Sequence, residues 1–369
     1  MNSSTNFDVV VAGAGPAGCA AALALRRQAS SARILLLEPG SYPRHKVCGE
    51  FVSAEGISAL QSLFTPTDLP PLLYPAPRIA QSRIFVDGSC FSARIQPPAC
   101  SIPRYQLDAF LWQACRSRDI ECRQGSALQI EGTHQLSVST ATETIKTSAV
   151  VNAAGRWSRL SASIAGDQPP VKWIGLKAHF TEPHPHDSVD LYFFAGGYCG
   201  VQPVDVRTIN VCAMVRADAA TELSAVFALH AALAARSRSW QQASESVSTA
   251  PLVFQRPRPV DKNVLNVGDA AGFIDPFVGD GITLALLSGS LAGECLADWL
   301  QNGTSRDEAL ANYQRRYRQQ LSPLFRRAAH VRELINLPRP LRSLALKALR
   351  VPSLANFIVR QTRPSRLSA

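Results

Sequence analysis

The sequence predicts an α/β fold in which a parallel-sheet domain built from βαβ units is interleaved with an antiparallel β-sheet domain and followed by C-terminal helices. Three observations predict it: a strand–glycine turn–helix–strand unit at residues 7–37, β-rich stretches at 79–95 and 171–216, and a helical pattern from Arg306 onward. At 369 residues the chain exceeds the roughly 250–300 at which single cores stop growing, so two domains are expected. With 46% hydrophobic and 18% charged residues it is not a largely disordered chain.

The elements follow in order. Residues 7–12 read as a buried parallel strand, 13–18 as a glycine turn, 19–28 as an alanine-rich helix and 33–37 as a second strand. A polar loop at 39–49 leads to a helix at 53–63, and the proline-rich stretch 66–77 reads as irregular. Residues 79–95 alternate like a hairpin with Asp87-Gly88 as its turn, and 105–118 form an amphipathic helix. Short strands at 135–139 and 143–146 precede the apolar run 149–155. Strands at 173–180, 188–194 and 208–215 suggest the antiparallel sheet, 219–237 a helix, 263–267 another buried strand and 282–300 a helix.

The first chemical constellation is Val9-Val10-Val11-Ala12-Gly13-Ala14-Gly15-Pro16-Ala17-Gly18, with Glu38 twenty positions beyond Gly18. Gly13 permits the tight turn, Gly15 lets backbone approach a pyrophosphate, and Gly18 allows close helix packing. The helix N-terminus adds oriented N–H groups, and the acid can bond ribose hydroxyls. A dinucleotide is expected here, and this pattern alone leaves NAD and FAD both open.

The stretch Gly268-Asp269-Ala270-Ala271-Gly272 through Gly279-Asp280-Gly281-Ile282 resembles the second FAD fingerprint of the flavoprotein superfamily that contains para-hydroxybenzoate hydroxylase, geranylgeranyl reductases and flavin-dependent halogenases. The resemblance implies a Rossmann-like FAD-binding domain of the glutathione reductase type with a substrate domain inserted in it. It divides the chain into FAD-binding pieces at 1–75, 101–170 and 256–302, substrate-domain pieces at 76–100 and 171–255, and a helical region at 303–369. By the same resemblance Asp269 contacts the ribityl side, the Gly279–Gly281 turn and Ile282 present helix amides to the isoalloxazine, Arg104 lies against the cofactor, and the backbone at Leu128 touches adenine. A helix starting near Ile282 would place partial positive charge where reduced flavin becomes negative. Asn152-Ala153-Ala154-Gly155-Arg156-Trp157-Ser158-Arg159 resembles the hydroxylases' Asp-Gly motif, but Ala154 replaces the aspartate, which puts its nicotinamide role in doubt.

The loop Pro43-Arg44-His45-Lys46-Val47-Cys48-Gly49-Glu50 resembles one that runs beside the isoalloxazine in geranylgeranyl reductases. Arg44 reads as a cofactor or anion contact. Cys48, beside Arg44 and Lys46, is a candidate acid or base with a lowered pKa, although free cysteines are more often inert packing. Lys177, His179 and Tyr198 can line a substrate cavity, although a lone strand histidine is more often structural. His184-Pro185-His186-Asp187 reads as a solvated loop rather than a metal site. No metal is expected.

From Arg306 to the end the chain holds fourteen Arg or Lys against three acids, which accounts for the formal net charge of +10. The charge suits a solvated helical face, an acidic acyl carrier protein or an anionic membrane surface. Nucleic acid is not expected, because no binding motif accompanies the charge. Nine scattered cysteines without a C-x-x-C pair suggest a reducing cytoplasm, and no signal sequence or membrane span is read.

The leading functional expectation is an FAD-dependent monooxygenase acting on an apolar aromatic or polyketide-like molecule in secondary metabolism, with non-covalent FAD and electrons from NAD(P)H or a partner reductase. The alternative is a flavin-dependent reductase or dehydrogenase of carbon–carbon double bonds. A halogenase ranks lower, since the tryptophan-rich signature is missing, as does a non-catalytic flavin-binding module.

Overall fold

The apolar run of β1 (Asn6–Ala12) has no polar alternation because both faces of the strand are covered. It is the centre of the first sheet in this computed structural model, which describes residues 6–157, 160 and 172–335. β1 pairs in parallel with β2 (Ile34–Glu38) on one side and β9 (Thr144–Asn152) on the other. Beyond them lie β6 (Glu121–Gln124) and β17 (Val264–Asn266), also parallel. The antiparallel additions are β16 (Val260–Asp261) on β17, and the hairpin β7 (Gln129–Glu131) and β8 (Leu136–Ser139) on the start of β9. Residues 143–146, expected as a short strand of their own, run unbroken into the apolar stretch as the single strand β9, because β8 and then β1 supply partners along its length.

Helices α1 (Pro16–Gln28) and α7 (Gly281–Asn302) pack against each other beside this sheet. Their approach is close enough that a Cβ added at Gly289 would overlap the carbonyl of Ala17, and one at Gly293 that of Ala21. Ser53 caps α2 (Ala54–Leu63), and its hydroxyl lies 2.8 Å from that of Thr283 on α7. The stretch 66–77 is not wholly irregular: α3 (Pro70–Leu73) is one helical turn, with proline tolerated at its first position. α4 (Arg104–Arg116) packs on α1.

The second sheet has the strand order β14 (Gln241–Gln242), β10 (Trp173–Thr181), β13 (Thr208–Arg216), β12 (Gly197–Pro203), β11 (Ser188–Phe194), β4 (Arg78–Val86), β5 (Ser89–Ser101), β3 (Phe51–Val52), with β15 (Val247–Thr249) also on β10. The β4–β5 hairpin turns at Asp87 and Gly88, both with positive φ, as a two-residue primed turn requires. The sheet is not purely antiparallel: β11 pairs with β4 in parallel, because β4 is joined to β11 by a long excursion through the first sheet rather than by a hairpin. β3, within the segment 1–75, belongs to this sheet through β5. The single helix expected at 219–237 is two short ones, α5 (Leu223–Ala228) and α6 (Ala231–Arg236), broken where His230 takes an extended conformation.

At the C-terminal side, α8 (Arg306–Gln320) opens with a capping box between Ser305 and Glu308 and buries Tyr313 and Tyr317. α9 (Ser322–Ile335) follows. Several tail bases turn inward: Arg306 donates to the carbonyl of His134, Arg316 lies 3.0 Å from Glu294, and Arg332 lies 2.9 Å from Asp275. The remainder of the expected basic region, from Arg339 to Arg366, and Ser158 and Arg159 of the Asn152 motif lie outside the described residues. Among the described residues no helix is long and apolar enough to cross a membrane.

Candidate functional site

β1 ends at Gly13, whose φ of +106° is one that only glycine adopts without strain. Its N–H donates to Leu37 O at 2.8 Å, which ties the turn to the end of β2. Gly18 lies beneath the turn, where a Cβ would overlap the Gly13 carbonyl, so its role is close packing, as expected. Ala14 is buried, and its N–H donates to Glu38 Oε2 at 2.9 Å. The other carboxylate oxygen of Glu38 pairs with Arg44 at 2.5 Å, so the expected ribose acid and the expected anion contact form one unit.

A cleft of about 880 Å³ opens in front of this turn. That is near the upper end of the roughly 300–1,000 Å³ span of ligand pockets. The turn contributes Gly13, Gly15, Pro16 and Ala17 to its wall, and Glu38, Arg44 and Leu128 border the same end. Across from them stand Gly268, Asp269, Gly279, Gly281 and Ile282. The N-termini of α1 and α7 therefore face one cavity, and neither has a side-chain cap on its free N–H groups. A Cβ at Gly155 or Gly281 would meet nothing within 4 Å, and one at Gly15 only Arg104, at 4.0 Å. Bare backbone with open space before it at three points of the wall fits close approach of a large dinucleotide.

The charges in the wall are paired. Arg104 forks onto Asp108 with two 2.8 Å hydrogen bonds. Burial raises the Asp269 carboxyl above its ordinary range, opposed by the Arg156 guanidinium 3.4 Å away. Arg156 also donates to Thr249 Oγ1 at 2.8 Å and lies over the Phe273 ring.

Two expectations for the 43–50 loop need correction. Lys46 does not serve to activate the thiol: its ammonium lies 3.0 Å from Asp108, and burial lowers its pKa. Cys48 lines the cleft, but its thiol is raised rather than lowered, because burial outweighs the nearby Arg104 charge. At neutral pH it is a neutral acid and not a thiolate.

His179 is not a lone histidine. Its Nε2 lies 2.7 Å from Glu50 Oε2, while Lys177 Nζ donates to Glu50 Oε1 at 2.9 Å. Alternation along β10 puts Lys177 and His179 on the same face, toward the loop. Glu50 also accepts from the N–H of Arg104, at 2.9 Å, and its own N–H donates to Cys48 Sγ at 3.3 Å. Burial alone would raise the Glu50 carboxyl, but the His179 hydrogen bond and the Lys177 charge bring it below its ordinary value. Glu50 and His45, which lies 3.0 Å from Lys177 through Nδ1, were not among the expected site residues. The Lys-x-His spacing on a strand was the available signal. Tyr198 is buried against Phe193, Met214 and Phe277, and borders the cleft from the second sheet; burial raises its hydroxyl. Among the described residues no group of three His, Cys, Asp or Glu side chains is arranged to hold a metal.

No family model matches the sequence. The chain is 26% identical over 351 residues to digeranylgeranylglycerophospholipid reductase 2 of Methanopyrus kandleri, covering 87% of this chain and 85% of that protein. It is 22% identical over 351 residues to reductase 1 of the same organism, covering 89% and 90%. In fold it is similar to a geranylgeranyl bacteriochlorophyll reductase-like protein from Thermoplasma acidophilum, with a TM-score of 0.78, 17% identity and coverage of 97% and 96%. It is equally similar in fold to the flavin-dependent brominase Bmp2, with a TM-score of 0.77, 17% identity and coverage of 97% and 93%. The two-sheet fold is the one these flavin-dependent enzymes and reductase-like proteins share, and the cleft has the size and bare backbone that FAD would need. The chain is thus similar in sequence to digeranylgeranylglycerophospholipid reductases and in fold to flavin-dependent halogenases.

Proposed function

We infer that the chain is an FAD-dependent reductase or dehydrogenase of carbon–carbon double bonds in an apolar, isoprenoid-like substrate, with NAD(P)H or a partner reductase as electron source. The observation that carries this reading is the Cys48 thiol, a neutral acid in the wall of the cleft, in a chain whose full-length relatives bear the name of reductases. Saturating an alkene takes one hydride and one proton. FAD, when bound, supplies the hydride chemistry. The chain's own residues do the rest. The two helix N-termini and the Gly13–Ala17 turn bind and orient the cofactor, Asp269 holds its place beside Arg156, and Cys48 holds a proton at Sγ. Met214, Leu252 and Phe273 offer an apolar wall that excludes water.

Oxygenation, the leading expectation from sequence, remains a second reading because Phe193, Tyr198 and Phe277 form an aromatic cluster beside the cleft that suits an aromatic substrate. Anaerobic incubation of the reduced protein with polyprenyl substrates separates the two. The reductase reading predicts products that gain two hydrogens without oxygen, formed at least about tenfold more slowly by Cys48→Ala. Products formed only in air and carrying an added oxygen atom would refute it.

A further inference from the structure

Four titratable side chains behind the cleft form an unbroken hydrogen-bonded series. His179 Nε2 lies 2.7 Å from Glu50 Oε2, Glu50 Oε1 lies 2.9 Å from Lys177 Nζ, and Lys177 Nζ lies 3.0 Å from His45 Nδ1. The two middle members are fully buried. The ends open differently. His179 borders a separate polar cavity of about 310 Å³ whose wall also holds Tyr105, Gln106, Asp205 and Ser244. His45 borders both that cavity and the large cleft, and Glu50 borders the large cleft as well. Stability is a poor explanation for the arrangement. A buried ion pair is weak support for a fold, and Glu50 holds a left-handed backbone, φ +60°, that a non-glycine residue adopts only under constraint.

We propose that His179, Glu50, Lys177 and His45 form a proton wire that joins water in the polar cavity to the redox cleft. The proposal rests on the reading of that cleft as a flavin site. Burial and the Lys177 charge lower the pKa of His45, so at neutral pH its Nδ1 accepts from the ammonium and its proton sits on Nε2. A group in the cleft takes the Nε2 proton, and Lys177 gives a proton to Nδ1. Glu50 hands Lys177 the proton it receives from His179 Nε2, and His179 regains one at Nδ1 from cavity water. One proton leaves the polar cavity, one arrives in the cleft, and no electron moves. The charged and titratable groups facing the series are Cys48 in the loop, Arg104 and Tyr105 at the start of α4, Asp205 after β12 and Cys212 on β13. Tyr105 packs its ring on both imidazoles, and Asp205 shares the polar cavity with His179.

The wire is tested by two measurements. In the chain without added cofactor, proton NMR should show a deshielded, slowly exchanging N–H at His179 Nε2, held by its hydrogen bond to Glu50, and Glu50→Gln should shift it upfield and speed its exchange. In the FAD-bound protein reduced anaerobically with reduced methyl viologen, which gives up electrons and no protons, a pH indicator should show proton uptake in step with flavin bleaching. His179→Gln should slow that uptake about tenfold or more, with recovery on adding imidazole, which a merely structural role would not produce. A fast-exchanging His179 N–H in the unsubstituted chain, or uptake at the original rate in His179→Gln, would overturn the proposal. The NMR measurement on the unsubstituted chain decides even if Glu50→Gln fails to fold. A chain that does not retain FAD would refute the flavin reading while leaving the NMR result to judge the series.

Discussion

Glu50 shows how much one side chain can join. Its carboxylate holds Lys177 and His179 of the second sheet while its backbone N–H reaches Cys48, so the loop, α4 and β10 meet at a single residue. Glu50→Ala leaves the fully buried Lys177 ammonium without its counter-ion, and denaturant unfolding should report a loss of roughly 3–5 kcal/mol. Glu50→Gln, which keeps hydrogen bonds to both partners, should lose less. Asp269→Ala removes the carboxyl that faces Arg156 in the cleft wall and should weaken FAD retention on gel filtration strongly, with the fold intact by circular dichroism. Legibility at this scale followed the origin of each constraint. Gly13 and Gly18 answer local backbone demands and were read from their motif. Glu50 was missed because its partners lie more than a hundred positions away and meet it only through the second sheet. The pKa direction of Cys48 was misread for the same kind of reason: charge neighbours are visible in sequence, whereas burial and the capture of Lys46 by Asp108 are not.

The element that most directly shapes the site is α7, held so near α1 that glycines are required where the backbones cross. Gly289→Leu should force the two helices apart, lower the melting temperature and reduce FAD retention together, because both helix N-termini face the cleft. Unchanged melting would contradict this account of the packing. The long, strongly patterned elements β1, α1, β2, α4 and α7 were legible in the sequence, since unbroken apolar runs and helical periodicity survive without knowledge of the partners. The break at His230 between α5 and α6 was not, and neither was the parallel pairing of β11 with β4, a fact of chain routing rather than of local pattern.

Across the whole molecule, two sheets enclose one cleft, and α9 reaches back to it. Arg332 of α9 pairs with Asp275 in the segment that leads to Pro276 and Gly279 of the cleft wall. Burial raises the Asp275 carboxyl to about 6, with Arg332 opposing the shift. An acid raised by folding binds its proton more tightly in the folded chain, so its contribution to stability is full below about pH 4 and is lost as pH rises through about 6. The thermal midpoint of the unsubstituted chain relative to Asp275→Asn should therefore fall between pH 4 and pH 7, by the equivalent of at most about 3 kcal/mol; a pH-independent difference would contradict the assignment. The interleaved two-sheet plan was legible from the order of the motifs, whereas the inward turn of tail bases such as Arg306 and Arg332 depends on carbonyls and acids that only folding brings near. The central claim, that the cleft between the two helix N-termini holds FAD, is tested most directly by the absorption spectrum of the chain after reconstitution with FAD and gel filtration. The account predicts a yellow protein that keeps its visible flavin bands; a colourless protein that cannot be reconstituted would contradict it.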